Sequence, residues 1–188
     1  MKKNIVVLIS GRGSNLESII SATNKKNFPA KISLVISSNK SALGLKIAEK
    51  NHIKNFVVDQ KEFSNKELFE ADLIGKIVQQ DPSLICLAGF MQILSKNFIN
   101  KFRDKIINIH PSLLPDYKGL NTHERAIHAG EKYSGCTVHY VTEELDGGKI
   151  IAQERVLISP SDTPETLSRK VLEREHIIYP KTIESLLS

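Results

Sequence analysis

In the run Ile106-Ile107-Asn108-Ile109-His110-Pro111-Ser112-Leu113-Leu114-Pro115, an amide and an imidazole stand two positions apart. A strand puts residues i and i+2 on one face, so Asn108 and His110 project together. Pro111 cannot donate to a ladder and stops the strand just behind them. The carboxyl end of a strand is where open α/β sheets bind ligands. There, an amide beside an imidazole can hold the oxygen of a polarised carbonyl, each donor contributing roughly 2.7–4 kcal/mol. The same pair also fits a strand-end Asn and His satisfied by loop backbone. Thr142-Glu143-Glu144-Leu145-Asp146-Gly147-Gly148 supplies a carboxylate, although Asp-Gly is equally a hairpin-turn signal. Beside His110, Asp146 would hold an imidazolium charged and receive protons during acyl transfer.

A second candidate is Gly11-Arg12-Gly13-Ser14-Asn15, between a β-branched run and a helical pattern. Glycines let backbone approach a ligand closely, and a helix N-terminus offers free N–H groups to an anion. The loop therefore reads as a phosphate site, or as a plain β-to-α turn. It is not a dinucleotide fingerprint: Leu16 occupies the third glycine position, and Ser37-Ser38-Asn39 ends the second strand without a ribose-binding acid. No NAD is expected. It is not a P-loop either, because no Gly-Lys-Ser/Thr follows.

Five short strands are predicted, Ile5–Ile9, Ile32–Ser37, Asn55–Val58, Leu84–Ala88 and Ile106–Ile109. Helical patterns lie between them near Ser14–Asn24, Ala42–Asn51, Asn65–Gln80 and Ser95–Phe102. Continuous apolar strands alternating with helices predict an α/β chain with one doubly wound, mostly parallel sheet covered on both faces. Cys136–Val141 and Lys149–Leu157 add two strands at one edge. Ser14–Glu17 and Ser64–Glu67 both read as capping boxes opening helices. Thr163-Pro164 starts a last helix running to about Leu187.

With 188 residues and no Gly/Ser/Pro linker, a single domain over 1–188 is expected. The net charge of +5 favours anionic small molecules or nucleic acid without choosing between them. Trp is absent and aromatics are 6%, so base-stacking platforms are hard to build. Cys86 and Cys136 are fifty positions apart and form no Cys-x-x-Cys pair, which argues for free thiols in a reducing cytoplasm. The apolar run Ile5–Ile9 is too short for a signal peptide. No stretch approaches the ~20 residues of a membrane span.

Asn108–Pro115 resembles the signature of the folate-dependent formyltransferases, which are Rossmann-like. Further pieces resemble the branch that formylates a glycinamide ribonucleotide in purine synthesis: Val6–Leu16, Leu87–Leu94, Leu145–Gly148 and Glu175–Pro180. The resemblance runs in order from residue 5 to residue 180. It implies two substrates, 10-formyltetrahydrofolate as co-substrate and 5-phosphoribosylglycinamide as acceptor, with no metal.

By that resemblance Asn108, His110 and Asp146 are the catalytic trio. Gly13, Ser14 and Asn15 hold the ribotide phosphate, and Glu175 accepts hydrogen bonds from the ribose hydroxyls. Met91, Gln92, Ile93 and Leu94, with Thr142, Glu143, Glu144, Leu145 and Asp146, enclose the pterin beside Asn108. Lys66 meets the glutamate tail of the folate. The N-terminal half is thus expected to bind the ribotide phosphate, and the C-terminal half the folate. Many relatives read Gly-Leu-His-Thr-His where this chain has Gly119-Leu120-Asn121-Thr122-His123, and Asn121 cannot carry an imidazolium's charge. His52, His128 and His139 lack metal-ligand spacing and read as solvated or core histidines.

Three alternatives fit the sequence less well. A methionyl-tRNA formyltransferase would add a C-terminal tRNA-binding domain, and a formyltetrahydrofolate hydrolase an N-terminal regulatory one. Neither is expected in a chain whose first strand starts at residue 5 and which runs to Ser188. A nucleic-acid-binding module would need a lysine stripe interleaved with aromatics, and here acids are mixed in throughout. Nucleic acid and membrane are not expected partners, and the chain is expected to be a monomer or homodimer.

Overall fold

A computed structural model describes all residues, 1–188. One seven-stranded sheet runs through it in the order β3-β2-β1-β4-β5-β6-β7. The strands are β1 (Lys3–Ile9), β2 (Ala30–Ser37), β3 (Asn55–Val57), β4 (Leu84–Leu87), β5 (Ile106–His110), β6 (Tyr133–Tyr140) and β7 (Ile150–Leu157). The first five pair in parallel, and β6 and β7 pair antiparallel at one edge. The helices are α1 (Ser14–Thr23), α2 (Leu43–Lys50), α3 (Lys66–Val78), α4 (Lys96–Lys101), α5 (Thr122–His128) and α6 (Pro164–Leu187).

β1 shows why the sheet is covered on both faces. Ile5, Val7 and Ile9 point into a core completed by α1 and α6, with Leu16, Ile19, Val171 and Tyr179. Val6 and Leu8 point into a second core under α3 and α4, with Phe69, Leu73 and Phe98. Ile5–Ile9, five of the seven β1 residues, are fully buried, so each of these positions is apolar whichever face it serves. The strand order turns back between β1 and β4, and that reversal opens a crevice at their carboxyl ends. Ser10 joins the two loops there: its N–H donates to the Gly89 carbonyl (3.1 Å) and its hydroxyl accepts from the Met91 N–H (2.8 Å).

Two predicted helix starts are corrected. α1 is capped by Gly13, not Ser14: Gly13 adopts φ 81°, ψ 17°, and its carbonyl takes the first helical bond from Glu17 (2.9 Å). Ser14 already has helical backbone there, so its hydroxyl is free of capping. α3 is capped by Asn65, not Ser64, with Asn65 Oδ1 accepting from the Leu68 N–H at 2.9 Å. Asn is as good an N-cap as Ser, and it stands one residue closer to the apolar pattern. Thr163 does cap α6, in a reciprocal box with Thr166 and Pro164 at the first turn. α5 has no counterpart in the sequence reading, and β6 begins at Tyr133, three residues before the predicted Cys136.

Candidate active site

A cleft of about 1260 Å³ opens over the carboxyl ends of β1, β4 and β5. Every residue singled out for a site lines it, except Lys66. Lys66 lies in the first turn of α3, 4.0 Å from Glu70, whose buried carboxylate is taken up by the N–H and hydroxyl of Ser95.

Asn108 and His110 share the face of β5 that carries Ile106. Antiparallel pairing sets Asn108 opposite His139 and His110 opposite Thr137. His139 Nδ1 lies 2.9 Å from its neighbour's carbonyl, Tyr140 O, and so carries the proton. Its Nε2 is then an acceptor, 3.2 Å from the Asn108 amide nitrogen. Burial pushes the His139 imidazole below its ordinary value, which keeps it neutral in this role. The Asn108 amide group is thereby turned so that its N–H pair is shared between His139 and the cleft. The sequence alone predicts a core or solvated histidine at His139. It is buried, as a core residue would be, yet it lines the cleft. Its signal was its place on the strand beside β5, which needs the pairing register to read.

His110 Nε2 lies 3.0 Å from the Tyr117 carbonyl, and Nδ1 lies 3.4 Å from Asp146 Oδ2. A carbonyl and a carboxylate both accept, so both contacts are satisfied when the ring carries both protons. Asp146 Oδ2 also accepts from the Gly119 N–H at 2.9 Å, while Oδ1 stands 3.7 Å from His139 Nε2. Asp146 itself sits at φ 50° in the tight turn before β7. The turn closes because Gly148 has no side chain: a Cβ there would run into the Tyr140 carbonyl. An imidazolium, a donor amide and a carboxylate with one unpaired oxygen can stabilise an oxyanion and pass a proton.

The other end of the cleft is formed by Gly11–Asn15 and by Glu175 on α6. The first N–H groups of α1 open here, beside the unpartnered Ser14 hydroxyl, as an anion site requires. Asn15 Nδ2 donates to Glu175 Oε2 at 2.7 Å, and Asn15 Oδ1 is buried without a partner. Burial pushes the Glu175 carboxyl up, against the opposing Asn15 hydrogen bond. Met91, Ile93, Leu120 and Leu145 are exposed on the cleft walls, an apolar rim that a flat ring system could cover. Asn121 sits at φ 57° as the residue before α5, a backbone that Asn tolerates well. His123, two residues on, has a buried Nδ1 without a partner, and burial with the nearby His110 pushes its imidazole down.

No three His, Cys, Asp or Glu side chains cluster so as to hold a metal ion, and no helix is long and apolar enough to cross a membrane.

Residues 3–183 match the family described as formyl transferase. The chain is 48% identical over 183 residues to the phosphoribosylglycinamide formyltransferase of Haemophilus influenzae, covering 97% of this chain and 86% of that protein. It is 44% identical to the trifunctional purine biosynthetic protein adenosine-3 of Gallus gallus, spanning all of this chain but only 19% of that longer protein. The crystal structure of phosphoribosylglycinamide formyltransferase from Brucella melitensis superposes with a TM-score of 0.96 at 44% identity, covering 100% of this chain and 97% of that one. With a sequence and a backbone fold shared across nearly its whole length, the chain belongs to the formyl transferase family.

Proposed function

We propose that the chain transfers the formyl group of 10-formyltetrahydrofolate to the amine of 5-phosphoribosylglycinamide, giving formylglycinamide ribonucleotide and tetrahydrofolate, in purine biosynthesis in the cytoplasm. The observation that carries this reading is the convergence of Asn108, His110 and Asp146 at one point of a cleft that also holds an anion cradle. The lone pair of the glycinamide amine forms a bond to the formyl carbon, and the carbonyl π pair moves to oxygen. The second Asn108 N–H donates to that oxyanion. His110 acts through its charge, because both its ring nitrogens are already engaged. Collapse re-forms the carbonyl, breaks the bond to folate N10, and leaves that electron pair on N10. Asp146 Oδ1, with no hydrogen bond of its own, takes the amine's proton through water and returns one to N10.

In this reading Gly13, Ser14 and Asn15 receive the phosphate and Glu175 the ribose hydroxyls. Met91–Leu94 and Thr142–Asp146 enclose the pterin. Lys66, outside the cleft lining, is left to meet a glutamate tail that runs out of the cleft. The 1–188 chain acts as one domain, as monomer or homodimer, with its N-terminal half binding the ribotide and its C-terminal half the folate. Steady-state turnover with both substrates, run beside a control lacking the ribotide, tests the proposal. Formyl transfer dependent on the ribotide is expected; formate release of equal rate in the control would identify a hydrolase instead.

A further inference from the structure

We infer that Arg125, an exposed residue of α5, is a positioning residue for the formyl transfer proposed above, acting by clamping the main chain of residues 117–120. The inference rests on that functional reading.

This strap touches both ionisable members of the trio through its backbone. The Tyr117 carbonyl holds His110 Nε2 at 3.0 Å, and the Gly119 N–H holds Asp146 Oδ2 at 2.9 Å. Arg125 Nη1 donates to the two carbonyls that alternate with these groups, Lys118 O at 2.7 Å and Leu120 O at 3.2 Å. Its guanidinium also lies over the Tyr117 ring, 5.3 Å from the centroid. Between Tyr117 and Leu120 the backbone is thus held by three side chains: His110, Asp146 and Arg125. Two of them are the groups the strap must position, so Arg125 is the independent anchor.

The strap needs one. Tyr117, Gly119 and Asn121 have φ of 56°, 77° and 57°. A bulky residue held at positive φ persists only where its surroundings over-determine it. The remaining side-chain ties are exposed: Tyr117 Oη to Glu131 (2.8 Å) and Lys118 Nζ to Glu144 (2.6 Å). Each is a single exposed contact at the end of one side chain and contributes little order, whereas Arg125 makes two hydrogen bonds to the strap and a ring contact at once. A guanidinium presents fixed, planar donors and stacks on an aromatic face at the same time. Small displacements of reacting groups are costly in rate, so a loosened strap lowers turnover without weakening a distant anion cradle.

The test compares Arg125→Ala, Arg125→Met and Arg125→Lys with the parent chain. Arg125→Ala and Arg125→Met should lower kcat about tenfold, with KM for the ribotide within about twofold and unchanged unfolding midpoints. Arg125→Lys, which keeps a charged donor, should recover most of the loss. In parallel, hydrogen–deuterium exchange at the Gly119 amide should speed up in the Ala and Met variants and not in Lys. Unchanged kcat and Gly119 exchange in Arg125→Ala overturns the clamp. Recovery by Met overturns it too, since Met covers the Tyr117 ring but donates nothing. If the parent chain shows no ribotide-dependent transfer, the functional reading fails, and the exchange measurement still decides whether Arg125 holds the strap.

Discussion

The chemistry proposed here depends on which atoms face each other within a few ångströms. His110 is held between two acceptors and Asp146 keeps one oxygen unpaired, so each has a separate task. His110→Ala and Asp146→Asn should each lower kcat by at least ~10² while the circular-dichroism spectrum and unfolding midpoint stay near those of the parent; near-normal turnover in either would defeat the assignment. Glu175 makes a different prediction. Its carboxyl is raised by burial, so its contribution to stability is present below its ordinary value of 4.5 and is lost as pH rises through the raised value. Glu175→Gln removes the buried charge. Its unfolding midpoint should exceed that of the parent at about pH 7.5 and fall into line with it below about pH 4. In the same variant, KM for the ribotide should rise severalfold if Glu175 binds the ribose. At this scale the sequence was legible where spacing along one strand or one loop carries the relation, as for Asn108 with His110 or Gly13 with Ser14. His139 and Arg125 were not legible, because their partners lie 31 residues away across a ladder and in a left-handed loop.

The elements explain why the loops lie where they do. Gly13 closes the turn from β1 into α1 at φ 81°, and a Cβ there would lie 2.5 Å from the Gly44 Cα on α2. Backbone on the other side cannot give way as a flexible side chain would. Gly13→Ala should therefore destabilise the chain by about 1–3 kcal/mol and raise KM for the ribotide more than KM for the folate; denaturant titration and two-substrate kinetics read the two effects. Strands and long helices were legible from apolar runs and caps, and all seven strands were anticipated. The caps at Ser14 and Ser64 were misplaced by one residue, because a capping pattern in sequence cannot report which residue turns left-handed or extended. α5, seven residues without an apolar stripe, gave no periodic signal.

Across the whole molecule, the apolar rim and the loop that opens α1 sit in one crevice, so ligands should tie the two ends of the cleft together. A folate analogue at a hundred times its Kd should stabilise the chain by about 2.7 kcal/mol, seen as an unfolding midpoint several degrees higher; no shift would mean that the exposed Met91, Ile93, Leu120 and Leu145 are not its contact surface. That both ends belong to one crevice was readable only through the strand order, which the alternation of strands and helices suggests but does not number. The last element has a consequence for how the site comes into being. β5 and the turn at Asp146 leave the ribosome before α6, which brings Glu175 to Asn15 and buries Tyr179 Oη against the carbonyls of Leu87 and Ile107. A nascent chain lacking α6 therefore holds Asn108, His110 and Asp146 without the acid that faces Asn15 and without the tyrosine that ties β4 to β5. Under the function proposed above, the Glu175 side of the acceptor site is thus completed only after the residues assigned to formyl transfer have been made.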